Sequence, residues 1–165
     1  MIQTIRHTRI EELQAVMEIY ATARQFMRQS GNPNQWSDNY PSTEDIEDDI
    51  RLGRSYVCIN SDNEIAAVFF FQKEEPDPTY HRIEGGTWLN ENPYGVIHRI
   101  ASSGRTRGVM RAVVNWCFSQ INNLRIDTHR DNRVMQQALL QLNFQYCGII
   151  YLQNGGERLA YQKTE

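Results

Sequence analysis

The stretch HRIASSGRTRGVMRAVVNWCF, His98 to Phe118, sets four arginines around two glycines and then runs into an apolar segment. No Asp or Glu occurs from Asn92 through Ile126, although the chain as a whole carries a formal charge of -3. A basic field inside an acidic protein suits a small anionic ligand, because charge focused in a cleft concentrates that ligand locally. Glycines in a turn that leads from a strand into a helix let several backbone N–H groups point outward at the helix start, where a phosphate or pyrophosphate binds well. The turn lacks the Gly-Lys-Ser/Thr ending of a Walker loop and the G-x-G-x-x-G of a dinucleotide turn, so both of those fingerprints are absent.

Working outward, hydrophobic periodicity predicts the order β, α, α, β, β, β, α, β, α, β, β. IQTIRHT alternates as a strand, and Leu13, Val16, Met17, Tyr20 and Ala23 recur at helical spacing before Gly31 and Pro33 stop the helix. STEDIEDDIRLG reads as a short helix capped by Ser42 or Thr43, with acidic residues in its first turn. SYVCIN and EIAAVFFFQ form a hairpin, and YGVIHRIAS is the strand that enters the basic turn. A helix from about Gly108 to Gln120 follows, then the strand LRIDTH, the helix DNRVMQQALLQLN, and two closing strands around QNGGE. This order calls for an α/β mixed sheet with helices on both faces. The segment Val96 to Thr128 is the candidate parallel crossover, which puts the basic turn at a strand's carboxyl end, where open α/β sheets bind ligands.

With 165 residues, the chain is expected to form a single domain over residues 1–165. Hydrophobic residues make up 40% and charged residues 22%, which are globular values, and no apolar run reaches the length of a membrane span. The amino terminus does not read as a signal peptide, so a cytoplasmic protein with no membrane partner is expected. Cys58, Cys117 and Cys147 lie in apolar surroundings without metal-ligand spacing, which favours reduced, buried thiols and no metal site. The net acidity, and arginines spread over a turn and a helix, argue against a nucleic-acid partner.

The basic turn also resembles a known signature. Arg105-Thr106-Arg107-Gly108-Val109-Met110 is similar to the R/Q-x-x-G-x-G/A motif of the GNAT-type N-acetyltransferases, which bind acetyl-CoA, except that Met110 stands where Gly or Ala is usual. The element order is also that family's order. The resemblance implies a GNAT-like, mostly antiparallel sheet of about six or seven strands with about four helices. It further implies that the backbone of Arg105, Thr106, Arg107, Gly108, Val109 and Met110 holds the cofactor's pyrophosphate. THRDNRVMQQALLQLNF resembles the family's later motif, with Asn132 opening the last helix beside the pantetheine arm. Leu139 occupies the position at which many members carry the Tyr that protonates the departing thiolate.

The expected activity is transfer of an acetyl group from acetyl-CoA to an amine of a small-molecule or peptide acceptor by direct attack. The alternative is a non-catalytic acyl-CoA-binding or sensor domain that kept the cradle and lost the acid. His98, in the strand before the turn, is a candidate base, since an amine must be unprotonated to attack. Strand alternation puts His98 and Ile100 on one face and Arg99 on the other. Ile100, Ala101 and Ser102 are the candidate source of a backbone N–H for the oxyanion. Asp127 and His129 either orient a base or cap the helix at Asn132, the second being favoured. Glu84 is a second candidate base and Tyr146 a candidate acid in place of the missing Tyr. Trp36, Tyr40, Trp88 and Tyr94 are candidate walls of the acceptor pocket, where aromatic faces suit a cationic amine. The oligomeric state is left as monomer or homodimer.

Overall fold

The computed structural model describes residues Met1–Glu165. Its strands are β1 (Ile2–His7), β2 (Ser55–Asn60), β3 (Ile65–Lys73), β4 (Gly95–Ser102), β5 (Leu124–Thr128), β6 (Gln145–Tyr151) and β7 (Glu157–Lys163). The helices are α1 (Leu13–Gln29), α2 (Thr43–Arg51), α3 (Val109–Gln120) and α4 (Arg133–Gln141). The strands form one sheet in the order β1-β2-β3-β4-β5-β7-β6, in which only β4 and β5 run parallel. No helix is long and apolar enough to cross a membrane.

Alternation along the strands divides the core into layers. Val57, Ile59 and Val68 face one side and pack under Val16, Ile19 and Tyr20 of α1 and Ile46 of α2. Cys58, Ala67 and Phe69 face the other, where Val113, Val114 and Cys117 of α3 and Leu139 of α4 close the larger cluster. All three cysteines are free and buried. The cap of α2 is Ser42: its hydroxyl accepts from the Asp45 N–H at 3.0 Å, and the Asp45 carboxylate accepts from the Ser42 N–H at 3.2 Å. That reciprocal pair fixes where the chain leaves the loop after α1.

Over β5, β6 and β7 the first face is covered by a loop instead of a helix. Residues 74–94 bury Tyr80 and Trp88 against Val96, Ile150 and Ala160. The loop lies so close to β6 that a Cβ on Gly86 would stand 2.0 Å from the Cys147 carbonyl oxygen, which only glycine permits. Pro78–Tyr80 within this loop, and Ile10–Glu12 before α1, are single 3-10 turns too short for a periodic pattern to announce.

Two features of β4 shape the rest. Its pairing with β5 stops after Gly95↔Leu124 and Val96↔Arg125, so the two strands part beyond Val96. Its pairing with β3 is interrupted between His98↔Phe70 and Ala101↔Val68, where Arg99 takes a φ of 49°. Arg99 and Ile100 therefore oppose Phe69 alone, a bulge that breaks the alternation. The expectation that His98 and Arg99 face opposite ways is corrected here. Both side chains reach the α1/α2 face, where His98 stacks near Phe70 and Arg99 meets α2, while Ile100 packs against the α3 side.

Candidate active site

The turn after β4 is built almost entirely from backbone. Gly104 and Gly108 have φ of 80° and 77°, the left-handed region, and a Cβ at either would meet no protein atom within 4 Å. Conformation, not crowding, demands glycine at both, and the space before them is open. Ser102 Oγ accepts from the Gly104 N–H at 3.1 Å and Ser103 Oγ from the Arg105 N–H at 3.3 Å. From Thr106 to Arg111, by contrast, no backbone N–H donates to any group of the protein, and Gly108 caps α3 without a side-chain bond. Arg105 thus differs from the other expected cradle residues, since its N–H is already engaged. Met110 turns its side chain onto the larger core cluster, leaving its N–H at the helix start. Thr106 Oγ1 accepts from Asn60 Nδ2 at 3.2 Å, which ties the turn to the β2–β3 hairpin.

Where the strands part lies a cleft of about 690 Å³, lined from the α1/α2 face and, at Ile97, Ile100, Ile126 and Met135, from the α3 face as well. His98, Asp77 and Asp127 line it, with Trp36 and Tyr40 from the loop after α1 and Arg158 from β7. His98 Nε2 stands 2.7 Å from Asp77 Oδ2, and His98 Nδ1 stands 3.8 Å from Asp127 Oδ2. Burial raises the Asp77 carboxyl, but the His98 hydrogen bond, with help from the Thr79 hydroxyl and amide, outweighs it and holds the pKa at about 2. An ionised Asp77 needs a donor, so the imidazole proton belongs on Nε2 and the lone pair on Nδ1. The Tyr80 phenol donates to Asp127 Oδ2 at 2.7 Å; burial, then Asp127 and Asp77, push that phenol well above its ordinary pKa and keep it a donor.

Arg99 borders the cleft and is braced against α2. Its guanidinium donates to both carboxylate oxygens of Asp49 in α2, at 3.0 and 2.8 Å, and to the Tyr40 hydroxyl at 3.0 Å. Burial works against this charge, but Tyr40 and Asp49 outweigh it and keep Arg99 above its ordinary pKa. Trp36 packs between Tyr20 and Tyr40, with ring centroids 5.9 and 5.8 Å away.

Several sequence-derived candidates stand elsewhere. Trp88 and Tyr94 do not line the cleft: they sandwich Arg125, whose guanidinium carbon lies 4.1 and 4.0 Å from their ring centres. Their cation is the chain's own. Tyr94 nevertheless reaches the site indirectly, since its hydroxyl accepts from the Asp77 N–H at 2.9 Å. Glu84 is exposed on the loop over β6, bonded to Arg82 and, at 2.8 Å, to the Tyr151 hydroxyl. Tyr146 is half exposed with its ring edge-on to Tyr161, and neither it nor Glu84 borders the cleft. Leu139 is fully buried in the core.

Asn132 borders the cleft, but both ends of its amide are taken: Oδ1 accepts from the Met135 N–H, and Nδ2 donates to Gln35 Oε1, each at 3.0 Å. Asn132 caps α4 itself. Asp127 turns instead to Tyr80 and His98, and His129 Nδ1 accepts from the Asp131 N–H, so the capping expected of that pair is not their role. Ala101 is buried under α1. Ser103 donates its N–H to Ala66 of β3 at 2.9 Å, and ladder alternation therefore turns the Ser102 N–H toward the gap beside β5. Asp77 went unnoticed in the sequence, where EEPDPTY offers one more loop carboxylate and nothing to link it with His98.

No protein-family model matches the sequence, and no curated protein does. Solved structures do match. The chain is 33% identical to a GNAT-family acetyltransferase from Streptococcus agalactiae, over 100% of this chain and 98% of that one, with a TM-score of 0.88. A GNAT-family acetyltransferase from Listeria monocytogenes is 20% identical over 97% and 93% of the two chains, with a TM-score of 0.71. The ribosomal-protein-S5-alanine acetyltransferase from Vibrio fischeri is 12% identical over 96% and 91%, with a TM-score of 0.58. At those two lower identities the likeness is one of fold.

Proposed function

This chain belongs to the GNAT family of acetyltransferases, and we propose that it moves an acetyl group from acetyl-CoA to the amine of a small molecule by direct attack. Acetyl-CoA, when bound, supplies the acetyl group as an activated thioester. The free N–H groups from Thr106 to Arg111, with Arg105 and Arg107 beside them, fit its pyrophosphate. The parted β4 and β5 leave room for the rest, and Ser102 offers an N–H at the gap.

His98 is the base. Asp77 holds the ring by Nε2 and presents Nδ1 to the cleft, where it takes a proton from the acceptor nitrogen. Asp127 Oδ2 lies 3.8 Å from Nδ1, on the side where that proton arrives. Trp36 and Tyr40 shield the attacking nitrogen from water. The reaction forms one C–N bond, breaks one C–S bond and passes the amine proton to His98, while solvent protonates the released thiolate. Leu139 has no proton to give.

One arrangement supports this reading above the others: a run of unclaimed backbone donors on one side of the parted strands and a carboxylate-held imidazole on the other. The test is release of free CoA thiol from acetyl-CoA across a panel of polyamines, amino acids, aminoglycosides and peptide amines. At least one class is expected to react, with kcat falling roughly 10²- to 10⁴-fold in His98→Ala. Thiol release that is equal in wild type and His98→Ala removes His98 from the mechanism. Silence across the panel contradicts the enzyme.

A further inference from the structure

Two charged side chains of the cleft, Arg158 and Asp127, make no ion pair within 4 Å with each other or with any permanently charged side chain. Arg158, on β7, forms no ion pair: its terminal nitrogens donate to the backbone carbonyls of Glu157 at 2.8 Å and Gln35 at 3.1 Å, and its Nε–H is unclaimed. Burial lowers its pKa, against the pull of Asp127 and Tyr40. A guanidinium resists deprotonation, so here it remains charged, half-buried and held by neutral oxygens. Every other arginine that borders this cleft is spoken for, since Arg99 is closed in by Asp49 and Tyr40. Asp127 is the counterpart. Its Oδ2 accepts from Tyr80, its Oδ1 accepts from no group, and no cation pairs with it except His98 at 3.8 Å.

A cleft that offers one unsatisfied cation and one unsatisfied carboxylate is complementary to a ligand bearing both charges reversed. We propose that the acetyl acceptor is an amino acid, or an amine carrying a carboxylate in the same relation, with Arg158 gripping the carboxylate and Asp127 receiving the ammonium. The inference rests on amine acetylation at His98 and adds the acceptor's class to it. The ammonium sheds one proton to solvent beside Asp127, and the nitrogen's next proton passes to His98 Nδ1 as the C–N bond forms and the C–S bond breaks. The released thiolate takes its proton from solvent. An Arg-carboxylate fork gives direction as well as attraction, which suits a subsite that must aim an amine at a thioester.

The experiment compares α-amino acids with the amines left by their decarboxylation, each pair assayed for thiol release with acetyl-CoA and the full chain. Wild type is expected to favour the carboxylated member of a reacting pair roughly 10- to 100-fold in kcat/KM. Arg158→Gln is expected to erase that preference, raising KM for the amino acid at least roughly tenfold more than for the decarboxylated amine. Arg158→Lys, which keeps the charge without the fork, should restore part of the preference and guards against a folding defect, as does an unchanged melting temperature. Equal turnover of both members by wild type, or an equal loss on both in Arg158→Gln, overturns the carboxylate subsite while acetyl transfer stands. No thiol from any amine overturns the transfer reading together with it.

Discussion

The turn after β4 and the cleft beside it use opposite materials for adjoining tasks. The turn presents backbone N–H groups that no protein atom claims, on two left-handed glycines, with arginines free in solvent. The cleft is made of side chains from residues 27 to 158 of the chain, several of them held in fixed pairs such as His98 with Asp77 and Arg99 with Asp49. A backbone cradle reads charge and shape without regard to side-chain identity, so one turn can serve a cofactor shared by many enzymes. A side-chain cleft changes with every substitution, and this is where an enzyme of this fold acquires its own acceptor.

That contrast can be broken at either end. The largest effect on the framework is expected from Asp49→Asn. It strands the Arg99 guanidinium under α2 and should cost about 3–5 kcal/mol, read as a fall in denaturation midpoint at constant slope. Gly108→Val strikes the turn instead. A β-branched residue at a φ of 77° costs about 1–2 kcal/mol, so acetyl-CoA affinity should fall roughly tenfold while kcat at saturating cofactor holds. An unchanged affinity would show that the turn does not hold the cofactor.

The smallest effect is a pH dependence. The Asp77 pKa is depressed to about 2, so the folded state binds fewer protons than the unfolded chain between there and the ordinary carboxylate value of ~3.9. Its contribution to stability is complete above that window and is lost as pH falls through it. Asp77→Asn should therefore flatten the melting temperature against pH below about pH 4. An unaltered acid limb would mean that the His98 bond does not persist in solution.

The sheet and its helices were legible because their signals are local. Leu13, Val16 and Tyr20 share a helix face, Ser42 sits three residues before Asp45, and Val57, Cys58 and Ile59 alternate between two cores. The turn was legible for the same reason, since its glycines, arginines and missing carboxylates fall in one short segment. The cleft was only partly so. His98 was identifiable from its place before the turn, and Trp36 and Tyr40 from their loop. Asp77 and Arg158 carry no local mark, and the Arg99 bulge reverses a side chain that simple alternation had placed. Trp88 and Tyr94 misled because an aromatic pair looks the same in sequence whether its cation is a ligand or, as here, Arg125.

The turn and the cleft are proposed to be the two halves of a single transferase site. Calorimetric titration of acetyl-CoA into wild type and His98→Ala tests this most directly. Saturable heat with one site per chain and the same affinity in both proteins is the expected result, since the proposal puts His98 in the half that handles the amine. No heat in either protein at millimolar acetyl-CoA would contradict the account.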